Sequence, residues 1–431
     1  MKLLKILSIA VSLLLIQAPA YAEDVHGTRD NEFTIAVIPD TQYYLDYKHQ
    51  KKEGFPFDAY KMFLEQMEYI ADNLKANGGD IAFVTSVGDI WQHQSLKIDP
   101  GHAARDFRAV PNPLIDDHLA PTSRLAEVEM PIARDGFGKI AGQVPFSVVP
   151  GNHDYDAMWT DSKRPPSPGA RLSDMASLGV LHSGGLDNFR SVFGSDSPFF
   201  KDKDWYVDSH DGGADSAQLF SAGGYKFLHI GLQFSPPDAS LKWAERVIRK
   251  YRGLPTIITT HDYLNGKGER LPNPLVDQAS VDELDNSPED VWRKLIAANP
   301  QIFLVLSGHQ HGQALRVDKN KSGNDVYQVL ADYQDRRQTA IAAGYTSDFP
   351  YGVGDGWLRL MKFDFSKEVP EIKVSTYSTY FRLGNRNIVN YAEWYKKHEQ
   401  PDMTDEEFYD SDDYVIRLPD FYARFGVPGG R

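Results

Sequence analysis

Residues 145–154 read PFSVVPGNHD, and this segment is the strongest indication of the fold class. It begins with a mostly apolar run typical of a buried strand, and the polar string Gly151-Asn152-His153-Asp154 follows directly. Gly151 permits the tight turn that such a string needs. In α/β folds, ligand groups gather at the carboxyl ends of strands. The stretch therefore predicts an α/β fold with a polar site at a strand end.

Four more polar strings of this kind lie on either side of it. They are Asp40-Thr41-Gln42, Gly88-Asp89, His261 within TTHD, and Gly308-His309-Gln310-His311. Apolar runs at residues 33–39, 81–87, 256–260 and 301–306 precede them and predict strands. Further strands are predicted at 225–232 and 326–330, and helices at 58–76, 239–251 and 288–298. The alternation of strands and helices predicts that the five strings meet along one edge of the sheet region.

Together the strings offer the ligands of a two-metal hydrolytic site. Two divalent ions about 3.5–4 Å apart can clamp both oxygens of a phosphoryl displacement and generate hydroxide near neutral pH. Such a site needs carboxylates, imidazoles and other oxygen donors, and the strings contain all of these. His309 and His311 are two residues apart, so an extended segment would direct both side chains to the same side.

The order D-x-[H/Q], G-D, G-N-H-D, H and G-H-x-H resembles the calcineurin-like metallophosphoesterase superfamily over residues 40–311. The first motif is similar to that of a secreted subgroup with Asp-x-Gln. The resemblance implies a four-layer α/β/β/α sandwich with long inserted loops. It also implies a metal-dependent phosphoric ester hydrolase with two divalent ions (Mn, Fe, Zn or Mg), in which metal-activated water attacks phosphorus directly.

The resemblance also implies a role for each residue of the strings. The first metal would take Asp40, Gln42, Asp89 and His311, and the second would take Asp89, Asn152, His261 and His309. His153 is then the acid that protonates the leaving oxygen or steadies the transition-state charge, and Asp154 is expected to orient it. Gln42 departs from the histidine of most members, and its harder, weaker oxygen donor favours Mn, Mg or Fe at the first site.

We predict three regions along the chain: a signal peptide at 1–22, a catalytic domain at 30–380, and a C-terminal extension at 381–431 that packs on the core. The domain carries insertions at about 92–142 and 157–224, which either wall the substrate cleft or elaborate the surface. Individually, the histidines of these insertions are interpreted as ordinary surface residues, although any could touch substrate: His93, His102, His118, His182 and His210. His229 lies in an apolar run and is interpreted as a satisfied core histidine.

The N-terminus predicts export. Lys2 and Lys5 precede the apolar residues 6–16, and Ala20-Tyr21-Ala22 supplies small residues for cleavage. The apolar stretch is too short to span a bilayer, which takes about 20 residues. The chain has no cysteine, so lipid attachment at an N-terminal cysteine and disulfides are excluded. We therefore expect a periplasmic or secreted protein without a stable membrane anchor.

The net charge of the chain indicates which classes of binding partner are expected. The chain has 46 Lys+Arg against 60 Asp+Glu, a net charge of −14. Such an acidic chain lacks the electrostatic footprint of a duplex nucleic-acid binder. The acidic stretch 402–413 is interpreted as a solvated surface segment.

The sequence thus predicts an exported phosphoesterase that binds a phosphoester substrate. Three alternatives stay open: a phosphodiesterase acting on nucleotides or lipid head groups, a secreted binder of phosphorylated ligands without catalysis, and a nuclease with a local basic cleft around Arg336 and Arg337. The oligomeric state is not determined by these patterns.

Overall fold

The structure is a computed structural model that describes residues 31–345 and 352–427. The predicted signal peptide lies outside these residues. The strands, in chain order, are β1 Glu32–Ile38, β2 Ile81–Ser86, β3 Phe146–Val148, β4 Ala157–Thr160, β5 Leu181–Gly184, β6 Tyr206–His210, β7 Asp215–Ala222, β8 Tyr225–Gly231, β9 Thr256–Asp262, β10 Ile302–Gly308, β11 Gly312–Lys319, β12 Asp325–Asp332, β13 Trp357–Asp364, β14 Glu371–Ser378, β15 Leu383–Gly384 and β16 Tyr414–Arg417.

The α-helices vary from short turns to three-turn helices. They are α1 Gln42–Leu45, α2 Tyr60–Asp72, α3 Pro100–Ala104, α4 Met130–Gly138, α5 Asp187–Phe193, α6 Asp238–Lys250, α7 Pro288–Val291, α8 Gln338–Ala342, α9 Tyr391–Glu399, α10 Asp405–Asp412 and α11 Phe421–Phe425. Two π-helical turns adjoin them, Leu125–Glu129 before α4 and Trp292–Ile296 after α7. The helix predicted at 288–298 is therefore α-helical only in its first turn.

Two large sheets carry the fold. The first has the order β15-β14-β13-β1-β2-β3, with β16 also paired to β14, and the second has the order β11-β12-β10-β9-β8-β7-β6. Strands β1, β2 and β3 are parallel to one another, as are β8, β9, β10 and β12. The five polar strings lie at the carboxyl ends of five of these parallel strands, β1, β2, β3, β9 and β10, so they share one edge of each sheet.

The sheets pack face to face over an aromatic interior. In β1, Phe33, Ile35 and Val37 face the second sheet, whereas Ala36 and Ile38 face the helices. Phe33 stacks on Phe363 of β13 with ring centroids 4.7 Å apart. Because β1 is buried on both faces, its sequence is continuously apolar rather than alternating.

Helices cover the outer faces of both sheets. Side chains of α2 and α4 pack on the first sheet, and those of α6 and the π-helical turn after α7 pack on the second. The layers therefore run α/β/β/α, and the fold expected from the resemblance is confirmed.

The two long connections hold regular structure that the sequence did not predict. The first contains α3 and α4, and Phe137 of α4 packs against Phe63 of α2 in the outer helical layer. The second contains β4 and β5, which form a separate two-stranded sheet, and β6 and β7, which extend the second large sheet. Both connections thus contribute to the layers as well as to loops.

The C-terminal region is joined to the first sheet and to the core. Strand β16 pairs with β14, and Phe421 of α11 lies in the interior between the sheets. Asp412 is fully buried and accepts hydrogen bonds from Arg336 (3.1 Å) and Arg359 (2.7 Å). The interpretation of 402–413 as a solvated segment is therefore wrong at Asp412, because this carboxylate pairs with two buried guanidinium groups.

Arg336 does not contribute to the basic cleft that was considered around Arg336 and Arg337. Only 1% of Arg336 is exposed, and its guanidinium donates to both carboxylate oxygens of Glu399 as well as to Asp412. Because two carboxylates enclose this guanidinium, its positive charge is not available to bind a nucleic acid.

Candidate metal centre

The carboxyl ends of the parallel strands bring the predicted ligands together. Asp40 follows β1, Asp89 follows β2, and His309 follows β10. The amide of His309 donates to both oxygens of Asp40 at 3.2 Å, which joins the two sheets at this edge. The five polar strings therefore meet at one place although up to 271 positions separate their outermost members, Asp40 and His311.

Four side chains converge on the position expected for the second metal. The Nε2 atom of His261 lies 3.2 Å from Asp89 Oδ1, 3.0 Å from Asn152 Oδ1 and 3.1 Å from His309 Nδ1. Its Nδ1 atom lies 2.8 Å from the carbonyl oxygen of Val87 and can donate to it. In this tautomer the Nε2 lone pair points at the other three groups. Such a set of buried lone pairs suits a divalent cation.

The residues expected at the first metal lie beside this group. Gln42 donates through Nε2 to Asp89 Oδ2 (3.2 Å) and to Gln334 Oε1. Its Oε1 atom is buried and has no hydrogen-bond partner within residues 31–345 and 352–427, so it can serve as an oxygen ligand. His311 completes the set, and 42% of its side chain is exposed, which places it at the open side. The donors present thus fit a divalent ion here as well.

The backbone conformation at His309 and His311 differs from the expected extended segment. His309 has φ of 69°, and the amide of Gln310 bonds to the carbonyl of Gly308 at 2.8 Å. The segment is a tight turn, so the extended geometry predicted for His309 and His311 is wrong. The turn directs His309 towards His261 and His311 towards Gln334.

Buried charges at the centre shift pKa values in opposite directions. Burial disfavours the ionised form of Asp89, but the imidazoles of His261 and His153 outweigh it and hold the pKa of Asp89 below its usual range. Burial, reinforced by Asp332, raises the pKa of Asp40 well above its usual range. Burial also raises the pKa of Asp332 to about 6. Crowded buried carboxylates of this kind are stabilised by a nearby cation.

His153 sits at the rim of the centre and is half-buried. Its amide donates to Asp89 Oδ1 at 2.9 Å, and its Nδ1 atom lies 2.8 Å from the carbonyl oxygen of Gln92. The backbone of Gln92 therefore orients this imidazole, and the expectation that Asp154 does so is wrong. With Nδ1 held by a carbonyl acceptor, Nε2 is the atom that can hold or release a proton.

Asp154 has a different role, since it ties two motif loops together. Its carboxylate accepts from the amides of Gly151 (2.8 Å), Ile90 (2.9 Å) and Trp91 (3.4 Å). Burial raises its pKa to about 8, with the charge of Asp89 as a further cause. Asp154 thereby fixes the loop of Asp89 against that of Asn152, and we regard it as a positioning residue.

Three residues at the carboxyl end of β12 complete the centre and were not assigned from the sequence. Gln334 links Gln42 to His311, whose Nε2 lies 2.7 Å from Gln334 Nε2. Asp335 contacts His311 Nδ1 at 2.6 Å, and the amide of Gln334 donates to Asp332 at 3.0 Å. The string ADYQD at 331–335 directly follows an apolar run, so the signal used for the other strings applied here too.

Two buried histidines correct the interpretation of the insertions. His93 and His182 are 1% and 0% exposed, so neither is a surface residue. His229 is fully buried, with Nδ1 2.8 Å from Gln218 Oε1 and Nε2 2.8 Å from Thr259 Oγ1. The interpretation of His229 as a satisfied core histidine is confirmed.

Glycine at position 151 is required by the closeness of the loops. A Cβ atom there would lie 2.2 Å from Asp89 Oδ1 and 2.7 Å from His261 Cε1. Gly151→Ala should therefore displace both side chains, with loss of bound metal and a decrease of about 1–3 kcal/mol in the free energy of unfolding. Denaturant titration and metal analysis measure these effects. The control is Gly138→Ala, since a Cβ at that exposed helical position meets nothing within 4 Å; equal behaviour of the two variants would contradict the prediction.

Comparison with known proteins agrees with this geometry. The family model described as calcineurin-like phosphoesterase matches residues 33–313, which is more than half of the chain. The chain belongs to this family of metal-dependent phosphoesterases. The matched range contains every candidate ligand, from Asp40 to His311.

A curated bacterial protein is similar over most of the chain. This is the "Uncharacterized protein YvnB" of Bacillus subtilis (strain 168), which is 26% identical over 360 residues. The aligned residues make up 82% of this chain and 20% of that protein, so the chain spans about a fifth of its relative's length. Within the part of the chain that the structure describes, no helix is long and apolar enough to cross a bilayer.

Proposed function

We propose that this protein is an exported phosphoesterase with a dinuclear metal centre. The observation that supports this most strongly is the convergence of Asp89, Asn152 and His309 on His261 Nε2, all within 3.0–3.2 Å. Asp40, Gln42 and His311 would hold the first ion, and Asp89 would be shared by both. When bound, two such ions would supply Lewis acidity and an activated water for attack on phosphorus.

His153 is proposed as the group that handles the leaving oxygen. Its amide is fixed on Asp89 and its Nδ1 on Gln92, so the ring is held beside the centre in one orientation. A proton on Nε2 could pass to the leaving oxygen or stabilise its developing charge. Asp154 contributes by holding the loops that carry Asp89 and Asn152.

Three functions are compatible with this set of ligands. A phosphomonoesterase and a phosphodiesterase acting on nucleotides or lipid head groups would use the same ligands, because the surrounding loops set the preference. A binder of phosphorylated ligands without catalysis is the third candidate. The placement of His153 next to Asp89 favours catalysis, since binding alone would not require a proton donor there.

A hydrolysis screen tests the proposal. The mature protein would be loaded separately with Mn, Zn, Fe and Mg and given p-nitrophenyl phosphate and bis(p-nitrophenyl) phosphate. Release of p-nitrophenol with at least one metal is expected, and the preferred ester separates monoesterase from diesterase. Release from neither ester by protein that contains two metals would contradict the enzymatic proposal and favour a binding protein.

Export is proposed from the N-terminal sequence, because Lys2, Lys5 and the apolar residues 6–16 precede Ala20-Tyr21-Ala22. Cleavage after Ala22 would leave a mature chain beginning at Glu23 with a net charge of about −16, since only two lysines are lost. N-terminal sequencing of the protein from the culture medium or periplasm should read from Glu23.

A further inference from the structure

A second cluster of metal-binding side chains lies outside the candidate centre. It consists of His102 in α3, His182 in β5 and Asp282 in the connection between β9 and α7. The Nε2 atoms of His102 and His182 lie 3.8 Å and 4.0 Å from Asp282 Oδ2. The three residues come from separate segments, and the function proposed above uses none of them.

Each histidine of the cluster is oriented by its own carboxylate. Asp99 Oδ2 lies 2.7 Å from His102 Nδ1, and Asp161 Oδ2 lies 2.9 Å from His182 Nδ1. A carboxylate that accepts from Nδ1 fixes the tautomer, so Nε2 carries the lone pair. Histidines that bind metals are commonly held in this way by a carboxylate behind the ring. Both lone pairs therefore face Asp282.

The atom at the centre of the cluster lacks a partner. His182 is 0% exposed, and its Nε2 has no hydrogen-bond partner within the described parts of the chain. A buried ring nitrogen without a partner costs free energy that a metal bond would offset.

The walls of the cluster hold the rings in place. The ring of His182 contacts Phe107 and Trp159, each with centroids 4.7 Å away. A Cβ at Gly184 would lie 2.5 Å from His102 Nδ1, so glycine is needed for the close approach of that ring. Rings confined in this way lose little further freedom on binding a metal.

We propose that His102, His182 and Asp282 bind a structural divalent ion of the zinc type. Two imidazoles and one carboxylate suit Zn²⁺ or Co²⁺ rather than Mg²⁺, which prefers oxygen ligands alone. Tetrahedral zinc with bonds of about 2.0–2.1 Å holds its ligand atoms about 3.4 Å apart, so a small contraction from 3.8 Å and 4.0 Å would complete three bonds. A fourth position would remain for water.

The ion would join both insertions to the connection after β9. Arg105 donates to Asp282 Oδ2 and is the group that could satisfy this carboxylate without a metal. It leaves the Nε2 atom of His182 without a partner, however, whereas an ion would satisfy both. Ser183, next to His182, donates to the carbonyl oxygen of Asn152 at 3.3 Å, so the site also supports a loop of the candidate metal centre.

Metal stoichiometry tests the site independently of the proposed function. Wild-type protein, His102→Ala and His210→Ala would be saturated with Zn²⁺, desalted and analysed for zinc per chain. His210 is the matched control, because its Nδ1 lies 2.9 Å from Asp215 in a similar histidine–carboxylate pair that belongs to neither site. We expect His102→Ala to lose one equivalent and His210→Ala to lose none. Equal zinc content in all three proteins would overturn the proposal.

The result of this zinc analysis does not depend on whether the candidate metal centre binds metal. If that centre binds no metal, the wild-type protein still has one equivalent more than His102→Ala. If His102→Ala does not fold, crystals of the zinc-loaded wild-type protein decide the question. An anomalous peak at the zinc edge between His102 Nε2 and His182 Nε2 would support the proposal, and its absence at full zinc loading would overturn it.

Discussion

Replacing His153 by alanine is expected to lower turnover about 10²–10⁴-fold, which is the usual contribution of a positioned acid or base. The metal content should stay unchanged. The reason is that the amide of His153, which donates to Asp89, remains in the variant, while the imidazole beside the centre is lost. Turnover of the better p-nitrophenyl ester and metal analysis of the same sample measure the two effects.

The control for this variant is His210→Ala, which removes an imidazole of the second insertion that lies 2.9 Å from Asp215. It should retain both turnover and metal. Loss of one metal equivalent in His153→Ala would contradict the prediction and make His153 a ligand. Unchanged turnover would remove it from the mechanism.

Asp89→Asn is expected to lower metal affinity by about 10²–10⁴-fold, because breaking a buried charge pair costs about 3–5 kcal/mol. Hydrolysis should fall to the background rate. Asp89 accepts from His153 and from Gln42, and its Oδ1 lies 3.2 Å from His261 Nε2. Asparagine has the same size and tolerates the φ of 49° found at Asp89, so the change is one of charge rather than of shape.

Metal titration followed by hydrolysis at saturating metal separates affinity from turnover in this variant. Asp215→Asn is the matched control, because Asp215 is also a buried carboxylate. It accepts a hydrogen bond from the backbone amide of Gln233 at 3.0 Å and contacts His210. It should keep the metal affinity of the wild-type protein. Two tightly bound metals in Asp89→Asn would contradict the shared-ligand role.

The sequence predicted the strand ends more accurately than the segments between them. Strands β1, β2, β9 and β10 lie within two residues of their predicted bounds, because short, mostly apolar runs are typical of strands that are buried on both faces. Helix α4 and strands β4 to β7 were not predicted. Several of their buried positions are polar, such as Ser183, Asp215 and Gln218, so neither an apolar run nor an alternating pattern marks these strands.

Two site residues show why side-chain contacts were predicted less well than ligand types. Asp154 was expected to orient His153, its neighbour in sequence, but it bonds instead to the amides of Ile90 and Gly151. Gln334 was not assigned a role, yet it contacts both Gln42, which is 292 positions away, and His311. The spacing of residues in the sequence predicts which residues follow a strand, but it does not predict the direction of their side chains in the loop beyond the strand.

The polar strings predicted the α/β fold class and the candidate ligands between Asp40 and His311. They could do so because each string is local: an apolar strand places the polar residues that follow it at one sheet edge. Three contacts became visible only in the folded chain: Gln92 rather than Asp154 holds His153, carboxylates enclose Arg336, and His102, His182 and Asp282 lie together. These contacts join residues 61 to 180 positions apart, and their partners are set by packing between layers, which no local pattern records.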